Sequence, residues 1–300
     1  MKSEHISICI CTFKRPRLLE RLLKKLELQI TDSLFSYSVV VVDNDSQQSG
    51  RNVVESFRNY GSIPVEYYHE PERSISLARN MAVRNSKGDY IAFIDDDEFP
   101  EQGWILKLYR ALKEYQCDGV LGPVIPHFEE EPPAWLMKGR LLERKSFKTG
   151  EVIKDSRYTR TGNVLLLKEL FGNKEQWFDP KYGRSGGGDV VFFKKMLEKG
   201  KVFMWCNEAS VYETVPLERQ EKLYYIKRAF TRGMANSWVN PLLSLGTAKS
   251  LLAILLYSSG LPFFLLAGLH LFMRYLVKDC DHIGKILGYF RINIVRERPY

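Results

Sequence analysis

Apolar runs and amphipathic segments alternate along the first 125 residues of the chain. The strand-like runs cover residues 6–11, 38–42, 65–69, 90–94 and 119–123. Helical spacing of apolar residues predicts helices around Leu18–Leu26, up to about Tyr60, and over residues 74–86 and 104–115. Because the strands are almost continuously apolar, this alternation predicts an α/β fold in which helices cover both faces of a mostly parallel sheet.

The pattern beyond residue 125 is less regular. Residues 190–197 and 217–233 predict helices, the second of them basic and aromatic, and residues 202–205 predict a strand. Residues 250–276 are almost wholly apolar, with no charge before Arg274. We therefore expect an α/β domain over residues 1–240, followed over residues 241–300 by hydrophobic helices and a basic tail.

The apolar segment 250–276 is long enough to cross a bilayer core of ~30 Å. However, residues 258–262 (Ser-Ser-Gly-Leu-Pro) interrupt it near the middle, and each half alone is too short to span. Basic residues outnumber acidic ones downstream, which favours the cytosolic side. The sequence predicts a re-entrant or interfacial hairpin with both ends cytosolic; a single span and a buried helical pair of a soluble protein are the alternatives.

Composition narrows the class of protein only in part. The net charge of +8 suits nucleic acid, an anionic membrane or a phosphate-rich ligand without choosing among them. The five cysteines form no C-x-x-C pair, and the first residues do not resemble a signal peptide. We therefore expect reduced cysteines and a cytosolic location.

Four acidic residues, Asp95-Asp96-Asp97-Glu98, follow the apolar run 90–94 directly. Ligands of open α/β sheets bind at the carboxyl ends of the strands, where this cluster is expected to lie. Carboxylates held this close repel one another unless a cation is bound, and Mg²⁺ or Mn²⁺ suits such oxygen ligands. A metal site is favoured over a solvated acidic turn, and the same acidic charge argues against nucleic acid as a partner.

Four motifs in order resemble the family 2 glycosyltransferases of the GT-A fold. They cover about the first 125 residues and comprise residues 8–16 (ICICTFKRP), 40–44 (VVVDN), 78–80 (ARN) and 88–97 (GDYIAFIDDD). Each motif alone is a weak signal, and their common order makes the resemblance specific.

The resemblance implies a role for each matching residue. Thr12 and Asp43 would contact the uridine base and ribose, Arg79 would approach the nucleotide, and Asp95 would hold the ribose. Arg15 and Asp96 belong to the same donor-binding motifs, and Asp97 would ligate the metal ion on the diphosphate. Structural alternatives are a turn-forming aspartate for Asp43 and a surface helix residue for Arg79.

A second acidic motif is expected before the helix at 190–197. Residues 186–189 are Gly-Gly-Gly-Asp, similar to the Gly-Gly-Glu-Asp of the family, whose acids face the acceptor. Gly188 replaces the usual glutamate, which leaves Asp189 as the candidate general base. An ordinary helix-capping aspartate is the alternative.

Two further positions carry weaker signals. Residues 211–219 are similar to a Val-x-His-x-Val-Pro-x-x-Arg segment of exopolysaccharide glycosyltransferases of the succinoglycan type, with Glu213 in place of the histidine. Glu213 could orient an acceptor, touch the metal shell or lie at the surface. Trp135 could stack on an acceptor or fill a core position.

The resemblance implies an inverting, metal-dependent transfer of a sugar from a nucleoside-diphosphate donor, UDP-linked, to a saccharide acceptor. With the hydrophobic tail, it predicts a lipid-linked acceptor, a membrane-surface partner, a role in cell-surface polysaccharide synthesis and a location on the cytoplasmic face of the cell membrane. Because Gly188 departs from the family pattern, a catalytically inactive, membrane-bound sugar-nucleotide-binding or scaffold protein is the alternative. A sugar-phosphate nucleotidyltransferase is disfavoured, since residues 11–16 lack the glycine-rich loop that it requires.

Overall fold

The computed structural model describes residues 4–172, 176–183, 186–239, 241–292 and 294–295. The strands of this part of the chain are β1 Glu4–Thr12, β2 Phe35–Asp43, β3 Val65–His69, β4 Tyr90–Ile94, β5 Glu98–Pro100, β6 Gly119–Leu121, β7 Val124–His127, β8 Asn163–Leu167, β9 Phe203–Trp205 and β10 Val211–Thr214. Its helices are α1 Pro16–Glu27, α2 Arg51–Tyr60, α3 Ile75–Asn85, α4 Trp104–Tyr115, α5 Ala134–Gly139, α6 Gly188–Glu198, α7 Lys222–Val239, α8 Leu245–Ala267 and α9 Leu269–Tyr289.

Seven strands form one sheet in the order β3-β2-β1-β4-β8-β6-β9. All neighbouring pairs are parallel except the two that involve β8, which runs antiparallel to β4 and to β6. The predicted α/β fold with a mostly parallel sheet is thus confirmed. The strand order reverses beside β1, which lies between β2 and β4, and this is where ligands of open α/β sheets bind.

Hydrophobic packing on both faces of the sheet holds these strand ends in place. Along β1, Ile8 and Ile10 belong to one core cluster and Cys9 to the cluster on the other side, and all three are fully buried. This alternation follows from the two-residue period of a strand. Because apolar side chains cover both faces, polar residues such as Thr12 and Asp43 collect at the carboxyl edge, where their strands end.

A smaller sheet has the strand order β5-β10-β7. In it, β10 runs antiparallel to β5, which places Glu213 directly opposite Glu98. Neither strand was predicted, because neither forms an apolar run: residues 98–100 are Glu-Phe-Pro and residues 211–214 are Val-Tyr-Glu-Thr.

The chain divides into two compact units, Met1–Ile125 with Arg144–Glu213, and Pro126–Glu143 with Thr214–Tyr300. Helix α7 packs against α9 within the second unit, and the domain boundary expected at residue 240 stays a prediction. Trp135 belongs to the second unit, where its ring packs edge-on against Tyr225 with centroids 5.8 Å apart. Because Trp135 is half-buried, both alternatives for it stay predictions.

The predicted interruption of the hydrophobic segment at residues 258–262 is wrong. Helix α8 runs continuously from Leu245 to Ala267 with Pro262 inside it, and the chain turns at Gly268, where φ is 135°. Glycine adopts this backbone conformation at no steric cost, so the turn forms there. The hairpin therefore consists of α8 and α9. Within the described part of the chain, α8 alone is long and apolar enough to cross a membrane.

Candidate functional site

The first predicted site residues meet at the carboxyl edge of the large sheet. Thr12 ends β1 and is paired in register with Asp43, which ends β2. On the other side of β1, strand β4 ends at Ile94 and Asp95 follows it. Parallel pairing therefore collects residues that are more than 80 positions apart in the sequence.

Arg15 bridges the acidic cluster to the end of β1. Its Nη1 donates to Asp96 Oδ1 and to Asp97 Oδ2, both at 2.9 Å, and Thr12 Oγ1 donates to Asp96 Oδ2 at 2.8 Å. Burial raises the pKa of Asp96, and the guanidinium of Arg15 opposes that rise. Asp96 is thus engaged by two protein donors, and Asp97 shares Arg15 with it.

Asp95 lies on the other side of the cluster, where Arg79 of α3 approaches it with Nη2 at 3.7 Å from Oδ1. Although 44% of the Asp95 side chain is accessible, desolvation by the surrounding protein raises its pKa to about 6. The carboxylates of Asp97, Asp96 and Asp189 add to this rise, and Arg79 opposes it. Desolvation and the neighbouring carboxylates together therefore outweigh Arg79 in setting the pKa of Asp95.

Glu98 is the most deeply buried acid of the cluster. Its Oε2 accepts a hydrogen bond from the Asp95 backbone N–H at 3.1 Å, and burial raises its pKa well above the usual range, with Asp95, Asp97 and Glu213 adding to the rise. Gly162 makes room for it, because a Cβ there would lie 2.5 Å from Glu98 Oε1. The sequence indicated Glu98 only as part of the acidic run.

Asp43 organises the loop after β2. Its Oδ1 accepts from the Asp45 backbone N–H at 2.9 Å, and its Oδ2 accepts from the Gly50 N–H at 2.7 Å and the Tyr67 hydroxyl at 3.0 Å. The residue is fully buried. In this arrangement Asp43 shapes the loop as a turn-forming aspartate does, and its contact with a uridine base stays a prediction.

Asp189 lies in the first turn of α6, which follows Gly187 with φ of 85°. Its Oδ1 accepts from the Val190 N–H at 2.9 Å, and the residue is half-buried. It is close enough to Asp95 to raise the pKa of that carboxyl. The structure thus brings Asp189 into electrostatic reach of the acidic cluster, although 90 residues of sequence (98–187) come between the cluster's third aspartate and the helix.

Gly188 fits tightly beside α3. A Cβ at this position would lie 3.1 Å from Ser76 Oγ, an atom that is buried and has no hydrogen-bond partner among the described residues. A residue with a Cβ here would therefore require Ser76 Oγ to move by a few tenths of an ångström.

Two arginines near Glu213 were missed by the sequence analysis. Arg144 forms an ion pair with Glu213, and both belong to the first compact unit. Arg160 is half-buried; desolvation and then Arg144 lower its pKa, while Glu98, Asp189 and Glu213 oppose the fall. No periodic pattern marks residues 140–162, so nothing in the sequence placed these cations beside the acids.

No group of three or more His, Cys, Asp or Glu side chains that could hold a metal ion occurs among the residues that the structure describes. A magnesium site of the kind that nucleotide substrates complete needs only one or two carboxylates, since phosphate oxygens and water supply the other ligands. Asp97, the predicted metal ligand, lies beside Asp96 at this edge of the sheet and fits that smaller requirement.

The sequence-family comparison matches one model, "Glycosyl transferase family 2", over residues 7–171. Succinoglycan biosynthesis protein ExoM of Rhizobium meliloti is 33% identical over 233 residues, which cover 77% of this chain and 74% of that protein.

Two solved structures are similar in fold. A Pyrobaculum calidifontis mannosyltransferase, PcManGT, in complex with GDP-Man and Mn²⁺ gives a TM-score of 0.62 at 17% identity, covering 99% of this chain and 89% of that one. S. aureus TarS 1-349 in complex with UDP-GlcNAc gives 0.57 at 15% identity, covering 97% and 93%. At these identities the likeness supports the shared fold.

Proposed function

This chain belongs to glycosyl transferase family 2, and we propose that it transfers a sugar from a UDP-linked donor to an acceptor hydroxyl with inversion. One observation carries the proposal. Thr12, Arg15 and the aspartates 95–97 come together at the carboxyl edge of the sheet, with Asp189 within electrostatic reach.

The donor is held by the edge of the sheet. Thr12 and the loop shaped by Asp43 receive the base and ribose, Asp95 accepts from ribose hydroxyls, and Arg79 lies beside it to face the nucleotide. Arg15 holds Asp96 and Asp97 in place and presents a guanidinium to anionic oxygens. TarS has been crystallised with UDP-GlcNAc, which supports a nucleotide-sugar donor of this class.

Asp97 would hold a divalent ion, Mg²⁺ or Mn²⁺, at the donor's diphosphate. When bound, such an ion would supply the positive charge that stabilises the leaving diphosphate. The acids of the cluster support this assignment, because a cation removes their mutual repulsion.

Asp189 acts as the general base. Its carboxylate takes the proton of the acceptor hydroxyl as that oxygen attacks the anomeric carbon. Attack from the face opposite to the diphosphate inverts the configuration in one step. The position of Asp189 on a helix, anchored by Val190 N–H, keeps one carboxylate oxygen in a fixed orientation.

The acceptor is a saccharide, lipid-linked, used in cell-surface polysaccharide synthesis at the cytoplasmic face of the cell membrane. The 33% identity with a succinoglycan biosynthesis protein supports the pathway class. The exposed apolar surface of α8 supports the membrane location.

The test is a panel of nucleotide sugars, with and without Mn²⁺ or Mg²⁺, measured by thermal shift and by release of nucleoside diphosphate. We expect D97N and D189N to lose at least a hundredfold in turnover, with D189N still binding the donor. Glu198→Gln, at the exposed end of the same helix, is the matched control and should retain activity. Donor binding without turnover under any condition would instead favour an inactive sugar-nucleotide-binding protein.

A further inference from the structure

The apolar and polar side chains of α8 are distributed in the reverse way to those of a helix that packs on a protein core. Its large apolar side chains are exposed, among them Leu255 at 69%, Leu256 at 62%, Phe263 at 72% and Leu266 at 88%. The residues that it buries are polar, Thr247 and Ser250. A soluble environment would reverse this arrangement, so the outer face of α8 requires an apolar partner.

Helix α9 lies antiparallel to α8 along almost its whole length. Thr247 Oγ1 is 3.0 Å from Tyr289 Oη near one end, and the rings of Phe264 and Tyr275 stack at 3.9 Å near the other. Between them, Ser258 Oγ donates to Asp279 Oδ2 at 2.8 Å. The inner face of α8 is therefore a polar seam that α9 already covers.

This seam determines how α8 meets a membrane. Because α9 carries Arg274, Lys278, Asp279, Asp281 and Lys285 at the same levels as α8, a membrane-spanning α8 would take these charges into the hydrocarbon layer, which is costly. An α8 that lies in the interface buries only its outer face and leaves α9 towards water.

Basic residues of the helices around α8 indicate the kind of membrane to which it would bind. Helix α7, which also packs on α9, contains four basic residues and no acidic residue. Lys227 and Arg228 are exposed. Helix α8 itself carries the exposed Lys249 near its first end, and a basic residue beside an apolar face favours anionic lipid headgroups.

We propose that the outer face of α8 inserts into one leaflet of an anionic bilayer, as an anchor that does not cross the membrane. The partner is the lipid surface itself. This inference goes beyond the proposed sugar transfer and does not depend on it, because insertion requires neither nucleotide sugar nor acceptor.

Flotation of the full-length protein with vesicles tests the proposal. We expect binding to phosphatidylcholine vesicles containing phosphatidylglycerol, weaker binding to phosphatidylcholine alone, and at least a tenfold loss of binding for the double variant L255D/F263D. The matched control is L28D/L34D, at two exposed leucines of the first unit that are 51% and 46% accessible. It should bind like the parent, and circular dichroism should find both variants folded.

Two results would overturn the proposal. In one, L255D/F263D floats like the parent, and sedimentation without lipid reveals a dimer that the variant abolishes; a second copy would then cover α8. In the other, Leu256→Trp fluorescence is quenched most by lipids brominated near the bilayer centre, as a spanning helix requires. We expect the strongest quenching from bromines near the headgroups.

Discussion

The side-chain oxygen of Asn44 accepts a hydrogen bond from the backbone N–H of Ser74 at 2.8 Å. The Asn44 amide also donates to the carbonyl oxygens of Glu70 and Glu72, at 2.9 and 2.6 Å. Asn44 follows the strand that ends at Asp43, and Ser74 caps the helix that carries Arg79. One buried amide thus fixes the start of α3 relative to the end of β2.

Removing this amide should affect both stability and donor binding. We expect N44A to lower the free energy of unfolding by about 2 kcal/mol, since it leaves buried backbone groups without partners. Because Ser74 begins the helix of Arg79, the donor KM should rise more than kcat falls. Asn85→Ala, which removes a single side-chain bond to Met81 within α3, should cost less than about 1 kcal/mol. Urea unfolding and donor titration measure both effects, and equal stability losses in the two variants would contradict this role.

We expect Arg15 to contribute more to the affinity for the donor than a partly exposed arginine usually does. Its guanidinium contacts both Asp96 and Asp97 at 2.9 Å, so R15A leaves two carboxylates of the cluster without their shared cation. We expect UDP binding to weaken about tenfold, equivalent to ~1.4 kcal/mol. Calorimetric titration with UDP measures it.

The control for this prediction is Arg17→Ala. Arg17 lies two residues away in the first turn of α1 and is exposed. A simple loss of positive charge near the site would weaken UDP binding equally in both variants, and that outcome would exclude a specific role for Arg15.

The sequence predicted the large sheet well because its signals are local. The strand Val65–His69 and the helix Trp104–Tyr115 have the predicted bounds, and α3 lies within the predicted residues 74–86. The acids at the end of β4 were found for the same reason, since a strand followed by aspartates is visible within ten residues. Prediction and structure agree for those helices and strands whose periodic apolar residues form the face that is buried.

Long-range pairing could not be predicted in this way. Strand β8 inserts antiparallel between β4 and β6, and no local pattern indicates which strand pairs with which. The ion pair between Arg144 and Glu213 joins a loop to a four-residue strand. It was not predicted, because no local pattern indicates such a contact either. The turn at Gly268 was missed because Pro262 was taken as the breaker, whereas a helix that packs along a neighbour tolerates one proline.

Gly162 should not tolerate a side chain. A Cβ at this residue would lie 2.5 Å from Glu98 Oε1 and 3.2 Å from Asp95 Oδ2, and Glu98 is too buried to move away. We expect G162A to lower the free energy of unfolding by about 2 kcal/mol through overpacking. Gly103→Ala is the control, since its new Cβ would meet only Lys107 Cε at 3.4 Å. In urea unfolding, G162A should have a lower midpoint than Gly103→Ala. Equal midpoints would mean that Glu98 and Asp95 can move away from the new Cβ.

Ser76 and Gly188 should behave as a coupled pair. Ser76 Oγ is buried without a partner among the described residues, so S76A should be neutral or slightly stabilising. G188E, which restores the family's usual acid, should lower the free energy of unfolding by about 1–3 kcal/mol, because its Cβ meets Ser76 Oγ at 3.1 Å. The double variant G188E/S76A should recover part of that loss, with a coupling of about 0.5 kcal/mol or more.

The same cycle tests the assignment of the general base. If Asp189 alone supplies the base, turnover of G188E/S76A should stay within a few fold of the parent once folding is restored. The reference for this cycle is the double variant G188E/N85A. Asn85 lies on α3, like Ser76, but at the other end of that helix. The stability changes of G188E and N85A should therefore simply add. A tenfold or greater gain in turnover for G188E/S76A would mean that the missing acid limits the parent protein, and Asp189 would then act as one member of a pair.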